Sequence, residues 1–400
     1  MPLQKIQLKP GVNREGTRYS TEGGFYESDN IRFRQGTPEK IGGWLRISAY
    51  TFLGVCRSLW NWVTLGAQNL LGVGTNLKFY ISNGGAYYDI TPTQTVHTLT
   101  NPFATVSGSA TVTVTDATGG YINNGYVTFT GSTAVGGLTI LGEFQLTYSA
   151  GSTYTFTAVY TAGAFVVSTT YTIVTVGTTD FVAIGASANT AGVVFVATGV
   201  GSGTGTAKTL ATSTTTGGGT VYAVYQINPG PNFAAPLSGW GSGAWSSGTW
   251  GNSASSAETL RIWNQFNFGE DLLYGPRGGP LYYWDATIGY LAPTVTMTIA
   301  NPCVVTTTLN LPDLTPIVFE TSGALPTGLL VGTTYYTRYV SATTFKLSLT
   351  PTGAFIITSG SQSGVQTISQ RGVLLSALAT ASNVPLSQIF FLVSDASRFV

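Results

Sequence analysis

Residues 43–92 read GWLRISAYTFLGVCRSLWNWVTLGAQNLLGVGTNLKFYISNGGAYYDITP, and this stretch decides the fold. Aromatic and branched residues cluster in four short runs, 55–64, 69–74, 78–82 and 86–90, each expected to be a strand. The breaks fall at Gly66, at Gly74-Thr75-Asn76 and at Asn83-Gly84-Gly85. Asn-Gly between aromatic runs is a strong hairpin signal, because both turn positions need a positive φ. Four short antiparallel strands in about 40 residues have the size of one β-propeller blade.

The stretch recurs. SLWNWVTLGAQNLLGVGTNLKFYI (58–81) aligns with RIWNQFNFGEDLLYGPRGGPLYYWD (261–285). The shared skeleton is an apolar residue before Trp-Asn, a Gly-containing turn, a Leu-Leu pair, a Gly-rich turn and an aromatic pair. Two readings stand: a true repeat of one blade, or two unrelated hairpins that share Gly and aromatic residues.

Working outward, composition narrows the class. Of 400 residues, 51 are Gly and only 8% are charged, against about 25% in ordinary soluble domains. Hydrophobic residues make up 43% and aromatics 12%, enough to exclude a disordered chain. Thr, Ser, Asn and Gly must therefore cover the exposed faces, which suits pleated sheet and a protein packed into an assembly. A net charge of +1 gives no overall pull on nucleic acid or membrane. Cys56 and Cys303 lie far apart and form neither a disulfide framework nor a metal spacing. The N-terminus lacks the apolar core of a signal peptide, and no run reaches the ~20 apolar residues of a membrane span.

Residues 1–42 form an arm. They hold 7 of the 17 basic residues, Lys5, Lys9, Arg14, Arg18, Arg32, Arg34 and Lys40, interleaved with Glu15, Glu22, Glu27, Asp29 and Glu39. Residues 30–34 alternate as a strand with both arginines on one face, and 35–38 read as a turn. Two roles are open for Lys5, Lys9, Arg14, Arg18, Arg32 and Arg34: a solvated face paired to Glu27 or Asp29, or contact with a neighbouring subunit or with DNA phosphates. The pattern PGVNREGTRYSTEGGFYESDNIRFRQGTPEKIGGW, followed by CRSLWNW, LLGVGTN and YYDITP, resembles the opening of the tail nozzle proteins of short-tailed bacteriophages. The likeness covers roughly 5–92 and 259–293 and carries no catalytic signature.

From Thr93 the texture changes. Trp is absent until Trp240, and Thr, Gly and Val dominate. Val112, Val114, Val127, Phe129, Ile140, Phe144, Leu146, Tyr154 and Phe156 are period-two apolar positions between Gly- or Asn-rich turns, as expected of a small antiparallel sandwich or barrel. Residues 93–228 are thus expected to be inserted β structure, with 163–207 a second module nested inside it. GVGSGTG (199–205) lacks the Lys-Ser/Thr of a phosphate loop and is expected to be a hairpin tip. Residues 229–258 form a Gly-rich linker with Trp240, Trp245 and Trp250 at intervals of five. These indoles either dock on the scaffold or form an aromatic platform for glycans. A second blade is expected over 259–293. Residues 294–370 resemble a small β module of phage proteins, the FCCH domain, and TTYTIVTVGTTDF (169–181) and TTYYTRYVSATTF (333–345) match at Tyr, Val, Thr and Phe, as if the inserts were relatives. Residues 371–400 are expected to resume the scaffold, with strands at 389–393 and 398–400. Two blades and a fragment do not close a ring of 4–8, so the expectation is either a truncated sequence, the favoured reading, or completion by other chains.

The fold class expected is all-β: a partial β-propeller scaffold with inserted small sandwich or barrel domains. Catalytic constellations are missing. The one histidine, His97, has no nucleophile elbow beside it and is expected to be a solvated strand or loop residue. The acids are scattered, the closest pair, Glu270-Asp271, falls in an expected turn, and Glu270 with Asp285 is a disfavoured candidate for the two opposed carboxylates a glycosidase needs. No enzyme activity, cofactor or metal is expected. The nozzle resemblance implies a structural virion protein, made in the host cytoplasm and built into the tail. It implies a homo-oligomeric ring, a hexamer by family expectation, contacting tail adaptor and fibre proteins, passing DNA through its lumen and meeting a host-surface receptor. The alternative is a receptor-binding adhesin that recognises host glycans.

Overall fold

The computed structural model describes residues 9–20, 23–43, 45–46, 48–119, 123–227, 262–289, 293–339, 341–378 and 381–394. The chain divides into a unit of residues 1–49 and a unit of residues 50–400.

In the first unit β1 (Ile31–Arg34) and β2 (Thr37–Lys40) form a hairpin. Its turn is only Gln35-Gly36, both at positive φ (50° and 81°), rather than the four residues the sequence implied. Thr37 and Pro38 belong to β2, where Pro38 faces Phe33. Phe25 packs edge-on against Phe33 with ring centroids 5.1 Å apart.

The second unit begins with a four-stranded antiparallel meander: β3 (Cys56–Val63), β4 (Asn69–Thr75), β5 (Phe79–Asn83) and β6 (Ala86–Asp89). These are the four strands expected from the turn residues. An eight-stranded sheet follows. Its strands are β7 (Thr93–Thr100), β8 (Phe103–Thr105), β9 (Thr111–Thr115), β10 (Tyr126–Thr130), β11 (Gly142–Ala150) and β12 (Thr153–Thr157), and it is finished much later by two more. The delay is a separate four-stranded sheet, β13 (Val159–Thr161), β14 (Thr170–Thr175), β15 (Val194–Val196) and β16 (Thr206–Lys208). Then β17 (Thr215–Gly217) and β18 (Thr220–Gln226) rejoin the larger sheet beside β8 and between β10 and β7. Every period-two apolar position named above lies in the core under these sheets. Residues 199–205 are not a hairpin tip. They cross between β15 and β16, which flank β14 on opposite sides.

A second meander is made by β19 (Trp263–Phe268), β20 (Asp271–Pro276) and β21 (Tyr282–Trp284). It is interrupted by a closed six-stranded barrel, β22 (Thr294–Met297), β23 (Val304–Thr306), β24 (Pro316–Thr321), β25 (Thr334–Tyr339), β26 (Thr344–Ser348) and β27 (Gln366–Gln370). Only then does β28 (Val373–Leu374) supply the fourth strand, beside β21. The expected strand at 389–393 is absent; Gln388 makes a single bridge to Gly279, and 398–400 lie outside the described residues. The molecule is therefore all-β, two blade-like meanders carrying a sandwich-like insert and a barrel.

Each insert enters and leaves through hydrogen-bonded neighbours. Thr93 pairs with Gln226, Val159 with Lys208 and Thr294 with Thr367. The nested module and the barrel also share a local device. Tyr171 and Tyr335 are buried, and each hydroxyl accepts the backbone N–H five residues upstream, from Val166 and Leu330, at 3.0 Å. Phe181 and Phe345, ten residues on, are buried in both.

The two meanders pack as neighbouring propeller blades do, face against back. In blade one the Thr75 amide donates to the Lys78 carbonyl, so Thr75 points at β5 and Leu70, Gly72 and Gly74 point at β3. In blade two the Arg277 amide donates to the Ile262 carbonyl, so Leu273 and Gly275 point at β19 and Leu272 and Tyr274 away from it. For L-residues that backbone direction fixes which face the side chain takes. Yet Leu70, Gly72, Gly74, Leu272 and Tyr274 all meet in the shared core. The blades thus offer opposite faces, as a propeller requires of successive blades. The shift arises in the hairpins: five residues (64–68) join β3 to β4, an odd number, whereas two (Gly269-Glu270) join β19 to β20. Trp263 seats on Gly74, where a Cβ would lie 2.7 Å from its ring.

Candidate functional site

The strongest concentration of charge in the second unit is a buried joint. The turn before β5 buries Lys78, whose side chain is 4% exposed. Its ammonium donates to Asp89 Oδ2 (2.7 Å) at the end of β6 and to both carboxylate oxygens of Glu143 in β11 (2.8 and 2.9 Å). It also lies 4.7 Å from the centroid of the Tyr126 ring. Arg371, after the barrel, donates to the carbonyls of Thr91 (2.6 Å) and Gly332 (3.2 Å) and reaches Asp89 at 3.7 Å. The Thr91 hydroxyl and amide both donate to Asp89 Oδ1, and the Gln226 amide group donates to Glu143. One cluster therefore ties blade one to the sandwich-like insert, the barrel and the strand that completes blade two.

Burial alone would lower the Lys78 ammonium, but the Asp89 and Glu143 carboxylates outweigh it and hold it above its ordinary range. Burial likewise works to raise Asp89, and Lys78 with Arg371 overcomes it, holding the carboxyl well below its usual range. Two cations and two anions leave the joint neutral. The sequence carried no local sign of it, since its members stand at 78, 89, 143 and 371. The nearest hint was a lone lysine opening an apolar strand.

His97 corrects an expectation. It lies on β7 with a side chain only 9% exposed, and its Nδ1 sits 2.6 Å from Asp116 Oδ2, a carboxylate with no exposure. Tyr225 donates its hydroxyl to the same oxygen (2.7 Å), and Tyr154 meets Tyr225 at 2.7 Å. The histidine is held because β7 pairs with β18, placing His97 opposite Ala223 and beside Tyr225. Burial works against the Asp116 charge, yet hydrogen bonds from His97 and Tyr225 outweigh it and lower its pKa. A carboxyl lowered in the folded state contributes stability above its unfolded pKa of about 3.9. That contribution is lost as pH falls through the lower folded value. We expect Asp116→Asn to be less stable than the parent near neutral pH, with the difference shrinking below about pH 4. Urea titrations across that range measure it, and a pH-independent difference would count against the assignment.

Asp271 accepts the Tyr283 hydroxyl (2.6 Å) and the Ala286 amide (2.9 Å), and Asp285 accepts the Thr287 amide and hydroxyl. Burial raises the Asp271 carboxyl, and Asp285 and Glu270 add to the rise. Among the described residues no group of three His, Cys, Asp or Glu side chains is gathered to hold a metal.

The arm's cations are partly matched by its own acids. Arg14 and Arg18 reach Glu27 at 3.7 and 3.6 Å, and both lie over the Tyr26 ring. Arg32 pairs with Glu39 across the hairpin (3.1 Å), in place of Glu27 or Asp29. Lys9 and Arg34 are exposed without an ion pair among the described residues, and Lys5 lies outside them. Trp240, Trp245 and Trp250 also lie outside the described residues, so neither a docked nor a glycan-binding arrangement can be assigned to them. Trp60, Trp62, Trp263 and Trp284 all serve the contact between the blades. No family model, curated protein or solved structure matches the chain.

Proposed function

We propose that the chain is a structural subunit of a phage tail, a nozzle protein whose ring forms a conduit for DNA and a platform for fibres or host contact. One observation carries the reading. The first strands, β3 and β19, approach each other most closely, while both inserts leave at the opposite edge, after β6 and between β21 and β28. Blades arranged this way turn their first strands toward an axis and their inserts outward. A conduit must keep its shape without gripping DNA, since each neutralised phosphate adds salt-dependent affinity. A net charge of +1 suits that task, and the neutral joint at Lys78 fixes the inserts without presenting charge. Quantitative mass spectrometry of purified virions tests the reading. The expected result is a copy number that is a multiple of six; a chain absent from particles would overturn it.

A further inference from the structure

Lys78 is a buried primary amine set against one carboxylate, with a second carboxylate also in contact with it. Its Nζ lies 2.7 Å from Asp89 Oδ2 and 2.8 and 2.9 Å from the two Glu143 oxygens. The other Asp89 oxygen, Oδ1, accepts the Thr91 amide (2.9 Å) and the Thr91 hydroxyl (2.6 Å). Thr91 is fully buried and is itself fixed: its hydroxyl accepts the Phe79 amide and its carbonyl accepts Arg371. The Tyr126 ring lies 4.7 Å from the ammonium. One carboxyl group thus has an amine on one oxygen, two donors on the other, and a proton carrier, Glu143, in contact with the amine.

Those are the parts that amide formation needs. An amine held against a carboxyl group reacts with the high effective concentration of an intramolecular partner. A positioned carboxylate can move the protons. Donors aimed at the oxygen that gains charge stabilise the tetrahedral intermediate. Burial opposes charge on Lys78 and Asp89 alike, and their attraction for each other keeps both charged before any reaction. The step therefore begins uphill, but it has to occur only once in the life of each chain.

We propose that Lys78 Nζ and Asp89 Cγ join in an intramolecular amide, a cross-link that the folded chain makes on itself, with Glu143 as the catalytic proton carrier. The ammonium first returns one proton to Asp89 Oδ2 across their hydrogen bond. The electron pair freed on Nζ then bonds to Cγ, and the electrons of the Cγ–Oδ1 double bond move onto Oδ1, where the Thr91 amide and hydroxyl stabilise them. Glu143 takes a second proton from Nζ and delivers it to Oδ2. Oδ1 re-forms its double bond, the Cγ–Oδ2 bond breaks, and Oδ2 leaves as water with both protons. Ammonium and carboxylate become amide and water, Glu143 ends as it began, and nothing is oxidised or reduced. The Asp89 and Glu143 side chains are 23% and 28% exposed, which gives the water an exit. Arg371 and Glu143 remain as opposite charges, so the joint stays neutral.

The cross-link has a mechanical use. Lys78 precedes β5, Asp89 ends β6, the outer strand of blade one, and the chain passes into the sandwich-like insert at Thr93. Tension on that insert peels β6 from β5 one pair at a time unless a bond from Asp89 to Lys78 carries the load. The inference stands apart from the conduit reading.

Intact-mass spectrometry of the purified full chain, denatured after incubation at neutral pH, tests it. The expected mass is that of the sequence less one water, and trypsin should fail to cut after Lys78, because an acylated lysine is not its substrate. Lys78→Arg and Glu143→Gln should each keep their full sequence mass. Parent chain that shows a cooperative thermal transition yet has its full sequence mass overturns the proposal. Loss of water from the parent and from Glu143→Gln alike overturns the role given to Glu143, and a loss that persists in Lys78→Arg overturns the site. A cross-linked chain that is missing from virions keeps this inference and removes the conduit reading.

Discussion

Lys78→Met is expected to destabilise the second unit by about 3–5 kcal/mol, the scale for removing one partner from a buried ion pair. The side chain is nearly isosteric, so the loss reports charge rather than volume. Without the ammonium, Glu143 keeps only the Gln226 amide group among its hydrogen-bonding partners here, and Asp89 keeps Thr91 and the more distant Arg371. Two carboxylates then share a site from which most water is excluded. Adding Glu143→Gln to Lys78→Met should recover part of the loss, since it removes the carboxylate left unpaired. Urea denaturation of the single and double variants measures both quantities. A loss below about 1 kcal/mol, the range of solvent-exposed pairs, would show that the joint is not buried as described.

The second large effect is at the blade contact. Trp263 is 1% exposed, its Nε1 donates to the Thr75 carbonyl at 2.8 Å, and its ring meets Phe79 at 5.1 Å between centroids. Trp263→Ala should cost about 3–5 kcal/mol, from lost burial and the cavity left behind. The loss should fall on the blades and spare the barrel, whose core of Val305, Ile317, Phe319, Tyr335 and Leu347 is separate. Proteolysis followed by mass spectrometry would show this as new cleavage in β3, β4, β19 and β20 with the barrel intact. Equal sensitivity in both regions would mean that they unfold as one.

Much of the architecture could be read in advance because its signals are local. The first blade is written in its turns, with Asn83-Gly84-Gly85 breaking two aromatic runs, and the insert core in the alternation of residues such as Val112, Val114, Tyr154 and Phe156. What escaped notice depends on distance along the chain. β28 has only two residues and is a strand because β21 lies beside it. Residues 389–393 have strand composition, yet they pack by side chains on blade two with one bridge at Gln388. The aligned Trp60 and Trp263 look equivalent in sequence, but hairpin loops of unequal length set their strands on opposite faces. His97 looked solvated because nothing near it in sequence announces Asp116 or Tyr225. The joint at Lys78 draws on four separate segments, so no window of sequence contains it.

The interruption of blade two also has a kinetic meaning. The chain leaves β21 at Trp284 and must return at Val373 before the sheet gains its last strand. Closing so long a loop from a disordered chain carries an entropic cost that grows with the logarithm of its length. The barrel removes most of that cost, because Thr294 and Thr367 become strand partners once it forms. The economical order of folding is therefore inside out: barrel first, blade afterwards, and by the same logic β13–β16 before β17 and β18 complete their sheet. During synthesis the ribosome would release β19–β21 as an unfinished edge that waits for the barrel, which makes that interval the chain's point of greatest exposure to aggregation.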